Sequence, residues 1–418
     1  MEFSSLDRQN GIKFQYSAGT DIGGGKENQD DYFICRHENI LVLGVLDGHG
    51  REVGKIAAMA AKKILIDYFT VHYEDLKSNP IEVLIEAHKI AHEYIKETFV
   101  TEIQAQGYEV MVTNNGYLVK RKTPNHPWSC VHGGAACSIV AIVDYNMYIA
   151  NVGDSSGILC STAPIFSNNI HNYICDSAKP PSDHSVDSIN NSLTNTLVIT
   201  AEHSPESITE FYRLRAFKHR DNDPMNPALY VVYDATSHDK TKCFPVFEVI
   251  DKTGAAVVTN RGKYYKNVRK EWASLVSTPG TADFPDALAF TRSLGDFHLQ
   301  VYGVTYLPEV YHIDLKKLLD NLDISVKSAP LGSCAPFLSV VLATDGIWDN
   351  WTYEDVTKYI MDQSIVTSVM NDSNAAVTVT SNLIQRNDVF AKSNFGNQAD
   401  NATGIVLYFS DFLSFPGM

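Results

Sequence analysis

No apolar run in this 418-residue sequence approaches the roughly 20 residues that a membrane-spanning helix requires. The N-terminal MEFSSLDRQN has neither the basic nor the apolar stretch of a secretory signal, and position 2 is not the Gly that myristoylation needs. The seven cysteines (Cys35, Cys130, Cys137, Cys160, Cys175, Cys243 and Cys334) are odd in number, widely spaced and without a C-x-x-C pair. A zinc ribbon or disulfide framework is thereby disfavoured, and free thiols in a reducing compartment are the simpler reading. Basic residues are in the minority: 34 Lys and Arg against 49 Asp and Glu leave a formal net charge of −15. Such a surface repels a phosphate polymer, which argues against nucleic acid as the main partner. There is no internal repeat. The expectation is a soluble cytoplasmic or nuclear protein, taken as a monomer, with no membrane and no nucleic-acid partner.

What is present is an ordinary globular composition, 44% hydrophobic and 20% charged. Six runs rich in β-branched residues read as strands: 40–46, 136–143, 147–152, 196–200, 337–344 and 403–409. Only Asp144-Tyr145-Asn146 separates the second from the third, too short for a parallel crossover, so they form an antiparallel hairpin. Helical periodicity covers 52–69, with Val53, Ile56, Ala57, Ala60, Ile64 and Tyr68 on one stripe, and also 81–99 and 374–386. Ser204-Pro205 predicts the start of a helix over 204–215, and Thr352 with Asp355 a capping box opening a helix through Ile360. This is an α+β pattern. Three stretches, 102–130, 161–195 and 216–286, read as surface insertions, because strand-like runs resume after each.

The run ILVLGVL ends abruptly in Asp47-Gly48-His49-Gly50. Other apolar segments are likewise abutted by an aspartate: Asp30 and Asp31 at a strand start, Asp154 after MYIANV, Asp345 after FLSVVLAT and Asp400 before TGIVLYF. A single Asp-Gly is far more often a turn than a metal site. Asp144 reads as a hairpin residue, and Asp349 as a cap or solvated loop residue. The set is different. If the segment ends converge, bare carboxylates repel and raise one another's pKa, and hard divalent cations such as Mg²⁺ or Mn²⁺ relieve that cost.

Seven ordered blocks, KENQDDYFI, VLDGHG, GGAACSIVAIVDYNMYIANVGDSSGIL, TAEHSPESITEFYRLR, ALAFTRSLGDF, FLSVVLATDGIWDN and QADNATGIVLYF, resemble the metal-dependent protein serine/threonine phosphatases of type 2C. They span roughly residues 16–410. The resemblance implies a central sandwich of two antiparallel β-sheets flanked by helices on both outer faces. It implies one catalytic domain over 1–418, with 216–286 in the place of the family's flap. It also implies a site for two Mg²⁺ or Mn²⁺ ions, with a third, weaker ion in some members, and hydrolysis of phosphoserine and phosphothreonine in phosphoproteins by a metal-bridging hydroxide. Carried over, Asp47 bridges the ions, the Gly48 carbonyl binds one, Asp345 and Asp400 ligate, Asp154 helps hold the third, and His49 is the general acid. The N-terminal acid is Asp30 or Asp31, depending on where the spacing is counted.

The sequence departs from the family where many members have an arginine five residues before that acid. Gly25 or Lys26 stands there, and a lysine binds phosphate as a point charge without the guanidinium fork. Ser156 and Glu202 are milder departures. Arg292 matches the family and reads as a structural arginine pairing acids. The basic segment NRGKYYKNVRKEW (260–272) reads either as a dock for acidic phosphoprotein segments or as a solvated charged face. The rival from another class is a pseudophosphatase, a phosphoprotein-binding scaffold without turnover. A metal-dependent phosphodiesterase acting on nucleic acid is a third reading, which the acidic charge disfavours.

Overall fold

A computed structural model describes residues 13–166, 170–174, 193–217, 226–237, 239–318 and 337–410. Two antiparallel sheets lie face to face. One runs in the order Ile170–Ile174, Glu309–Asp314, Asn146–Val152, Gly134–Val143, Ile40–His49, Asp30–His37, with the short Leu294–Gly295 strand paired to the start of Gly134–Val143. The other runs Lys13–Asp21, Ala402–Ser410, Leu338–Ala343, Ser156–Phe166, Leu193–Val198. The 134–143 and 146–152 strands form the expected hairpin.

Alternation along each strand divides the packing into layers. In the 40–49 strand, Leu41, Leu43 and Val45 enter the core between the sheets with Val140, Ile149, Leu159, Val340 and Leu407. Val42 and Leu46 face outward onto helices Gly54–Val71 and Pro80–Ala105, against Ala57, Ala61, Leu65, Leu84 and Ile95. On the far side Val341, Val406 and Tyr408 pack against helices Tyr353–Ile360, Gln363–Asn371 and Ala375–Phe395 through Val356, Ile360 and Leu383. The α+β sandwich flanked by helices is the expected fold.

Details differ from expectation for local reasons. The buried stripe of the first helix runs through Ala57, Ala61, Leu65 and Phe69, leaving Ile64 and Tyr68 at its edge. Ser204 opens a turn, accepting from the Glu206 amide at 3.1 Å, and the helix begins at Ile208. Thr352 does cap its helix, its Oγ1 accepting from the Asp355 amide at 3.1 Å. The strand expected at 196–200 is Leu193–Val198.

The insertions are structured where they are described. The second helix runs on to Ala105, and Glu109–Val112, Leu118–Arg121 and Ser129–Cys130 form a small sheet. Part of 161–195 is strand, while 167–169 and 175–192 lie outside the described residues, as do Cys175 and Cys334. The described cysteines are free thiols. The flap region builds a hydrophobic core of its own from Val231, Tyr233, Phe247 and Val276, sealed against Phe211, Phe290 and Tyr302. No helix among the described residues is long and apolar enough to cross a membrane.

Candidate metal centre

Strand alternation carries Asp47 to its position. It continues the odd-numbered series 41, 43, 45, so its carboxylate lies on the inter-sheet side, where the core runs out at the end of the sandwich. Register places Asp30 directly opposite Asp47 on the neighbouring strand. The same register pairs Asp31 with Leu46 and turns it to the other face, where Lys62 of the first helix meets it at 2.8 Å. Of the two candidate N-terminal acids, Asp30 therefore joins Asp47 and Asp31 does not.

The remaining aspartates come from the ends of other strands. Asp154 follows the 146–152 strand through Gly153, and Asp345 begins a short helical turn after the 338–343 strand. Asp47, Asp154 and Asp345 each offer a carboxylate oxygen, and these oxygens lie within 4.8 Å of one another. Asp400 precedes the 402–410 strand. Gly346 lets that segment close on Asp345, because a Cβ there would collide with the Asn401 carbonyl. Asn401 in turn fastens the loop before Asp30: its Oδ1 accepts from the Gln29 amide at 2.7 Å, and its Nδ2 donates to the Ile22 carbonyl at 2.8 Å. Gly48 lies between Asp47 and His49, where a Cβ would strike the Gly54 carbonyl at the start of the first helix.

Burial and mutual repulsion push these carboxyls up. Burial, then Asp345 and Asp30, hold Asp47 well above the usual carboxylate range. Burial, then Asp154 and Asp349, do the same to Asp345. Asp30 rises to about 7, chiefly through burial, although Thr344 Oγ1 donates to it at 2.8 Å. Asp154 and Asp400 are also raised by burial. An all-oxygen cluster in which anions outnumber cations fits a hard divalent ion, which would remove the cost of holding the charged forms together.

His49 sits beside this cluster. Its Nε2 donates to Asp296 Oδ2 at 2.6 Å, and its ring meets Phe290 edge-on with centroids 5.1 Å apart. The other nitrogen, Nδ1, is buried and has no hydrogen-bond partner among the described residues. Burial lowers the His49 pKa, but the Asp296 carboxylate outweighs it and the net shift is upward. Asp296 itself is held in the left-handed region (φ 43°, ψ 44°) and also accepts from Ser293 Oγ at 2.6 Å.

Reading by segment ends misses three residues. Asp349 is no solvated loop residue: it stands one helical turn after Asp345, its amide donating to the Asp345 carbonyl at 2.7 Å, and burial lifts its pKa to about 7. The i, i+4 spacing in DGIWD carried that signal. Asp296 followed a glycine in SLGD, as Asp154 does in VGD. Lys266, from the basic flap segment, turns inward. Its charge acts on Asp154, Asp345 and Asp349, and its Nζ lies 3.7 Å from Glu271. Arg269 donates to the Trp348 carbonyl. The segment is thus neither wholly solvated nor wholly free to dock a partner. Lys26, by contrast, is exposed in the loop before Asp30. Arg292 is fully buried and pairs Glu210 and Glu309 at 2.6 and 2.8 Å, the structural part expected of it.

A family model described as protein phosphatase 2C matches residues 84–174. The fold is similar to the crystal structure of serine-threonine phosphatase 2C from Toxoplasma gondii, with a TM-score of 0.54 at 15% identity, covering 98% of each chain. The chain is similar to type 2C protein phosphatases in that matched segment and in its fold. Protein phosphatase 1L of Bos taurus is 19% identical over 348 residues, which cover 82% of this chain and 62% of the bovine protein. A Caenorhabditis elegans sex-determining protein is also similar in structure, with a TM-score of 0.49 at 15% identity, covering 96% of this chain and 66% of that one.

Proposed function

We propose that the chain is a Mg²⁺- or Mn²⁺-dependent protein phosphatase that hydrolyses phosphoserine and phosphothreonine in protein substrates, acting as one catalytic unit in the cytoplasm or nucleus. The observation that carries the reading is the convergence of Asp47, Asp154 and Asp345, from three separate strand ends, on one point beside His49. Asp30, Asp349 and Asp400 enlarge the carboxylate cluster, and the Gly48 carbonyl belongs to the proposed ligand set. Asp31, ion-paired to Lys62, is left out of it. Two divalent cations held by these residues would supply positive charge for the phosphoryl oxygens and a water acidic enough to attack at neutral pH.

His49 does the proton work. Asp296 holds its Nε2–H, so the proton that can be given to the leaving alkoxide of serine or threonine is the one on Nδ1. The upward pKa shift, set by the Asp296 carboxylate against the opposing effect of burial, favours the form that carries that proton. Lys266, rather than the exposed Lys26, supplies protein charge facing the phosphate.

One observation favours the scaffold alternative: the loop before Asp30 offers no arginine to grip a phosphoryl group. Hydrolysis of p-nitrophenyl phosphate and a phosphothreonine peptide, measured with Mn²⁺, Mg²⁺ or EDTA, separates the two. Metal-dependent release that Asp345→Asn abolishes is the expected result. No release with either ion from a folded protein would transfer the reading to the scaffold.

A further inference from the structure

A second group of metal-ligating side chains lies outside the carboxylate cluster. His132 precedes the 134–143 strand, Asp286 ends the flap region, and His298 sits in the short helical turn Phe297–Gln300. All three direct an atom at one point. Asp286 Oδ2 lies 2.9 Å from His132 Nδ1 and 2.6 Å from His298 Nε2. The two imidazole rings are 4.6 Å apart between centroids and inclined by 66°.

We propose that His132, Asp286 and His298 form a binding site for one transition-metal ion of the zinc class, separate from the carboxylate centre. Two imidazole nitrogens and one carboxylate oxygen are a borderline donor set, which Mg²⁺ does not favour and Zn²⁺ does. Zinc bonds of roughly 2.0–2.1 Å set neighbouring ligand atoms of a tetrahedron about 3.3 Å apart. The three ligand atoms already lie within 4.8 Å of one another, so the ion needs only a small spreading of the contacts to Asp286. His298 is buried and fixes one corner. The side chains of His132 and Asp286 are 42% and 30% exposed, which gives the ion a path from solvent and leaves the fourth position to water.

The ion would join three parts of the chain that meet around the general acid. The Asp286 amide donates to Thr278 Oγ1 at 2.9 Å, which ties this ligand into the flap. Gly133, next to His132, accepts at its carbonyl from the Asp296 amide at 3.0 Å. His298 lies two residues beyond Asp296, the partner of His49. Zinc would therefore staple the flap to the backbone that positions His49, and loading of this site would bear on turnover from outside the carboxylate cluster.

The test uses the full chain, stripped with EDTA and then held in excess Mg²⁺ to fill the carboxylate cluster. Zn²⁺ is titrated against a chromophoric chelator, and Co²⁺ is used in parallel for its visible absorption. The wild type is expected to take one equivalent of Zn²⁺ and to show the intense bands of low-coordinate Co²⁺. His132→Ala should weaken zinc binding about tenfold or more, as should Asp286→Asn, while Asp345→Asn leaves it unchanged. His132 is half-exposed, so its variant should fold, and circular dichroism checks this. Absence of zinc binding by the folded wild type, or zinc affinity indifferent to both His132→Ala and Asp286→Asn, overturns the proposal. Because Asp345→Asn tests the carboxylate centre separately, failure of one site is distinguishable from failure of the other.

Discussion

Among the described residues, two of the groups of buried charges are built on opposite plans. Around Arg292, every charge has an answer. Glu210 accepts from Arg292 and Arg213, Glu309 accepts from Arg292, and the spare guanidinium hydrogens go to the carbonyls of Thr291, Gly303 and Leu307. Burial alone would raise the Glu210 pKa, yet the two arginines hold it well below the usual range. At the end of the sandwich the balance is broken. Six aspartates (30, 47, 154, 345, 349 and 400) gather with Lys266, Arg269 and His49 as the cations acting on them, and all six carboxyls are still raised. A balanced group holds elements together. An unbalanced one is complete only with charge from outside, and that asymmetry marks the candidate centre more firmly than any one motif.

Substitutions can break or sharpen the contrast. Glu210→Gln should cost about 3–5 kcal/mol in chemical denaturation, because it leaves two buried guanidinium groups without their carboxylate. Since the folded pKa of Glu210 is depressed, its stabilisation is fully present above the unfolded value of 4.5 and is lost as pH falls towards the folded one. The gap between wild type and variant should accordingly narrow below about pH 4. Asp47→Asn should act in the opposite sense on the fold. It removes repulsion, so the metal-free protein should gain about 0.5–2 kcal/mol, while thermal stabilisation by Mn²⁺ disappears. Turnover should fall by more than the roughly 10–100-fold that loss of a ligand's neighbour causes.

Asp296→Asn should lower kcat by up to about a hundredfold, more for a phosphothreonine peptide than for p-nitrophenyl phosphate, whose leaving group needs no proton. Equal losses on both substrates would show that Asp296 does not serve the acid. Asp31→Asn should do least: removing the half-exposed pair with Lys62 should change stability by under about 1 kcal/mol and leave activity alone. An effect of Asp31→Asn on Mn²⁺ activation would return that residue to the ligand set.

Much of this site could be read from the sequence, because strand ends and glycines are local features. Asp47, Asp154, Asp345 and Asp400 each follow or precede an apolar run, and their meeting needed only the sheets to close. The choice between Asp30 and Asp31 could not be read, since it depends on which residue faces Asp47 across the pair, a matter of register rather than composition. Asp349 was legible in principle from its four-residue spacing, but the helical turn that gives the spacing meaning begins within DGIW and is only four residues long. Lys266 was hidden for another reason. A charged residue in a basic segment reads as solvated unless the packing of that segment is known, and here Arg269 on Trp348 and the Val268 amide on the Asp349 carbonyl turn it inward. The start of the 208–216 helix was misplaced because Ser-Pro initiates a turn as readily as a helix.

The 402–410 strand lies between 13–21 and 338–343, so one sheet closes only when segments far apart in the sequence meet, Lys13 pairing with Ser410. Asp30 and Asp47 therefore meet Asp400 only through a contact of high sequence separation, whose loop entropy is spent before the contact rewards it. Until that pairing forms, the 338–343 strand has an open edge and the carboxylate cluster lacks Asp400.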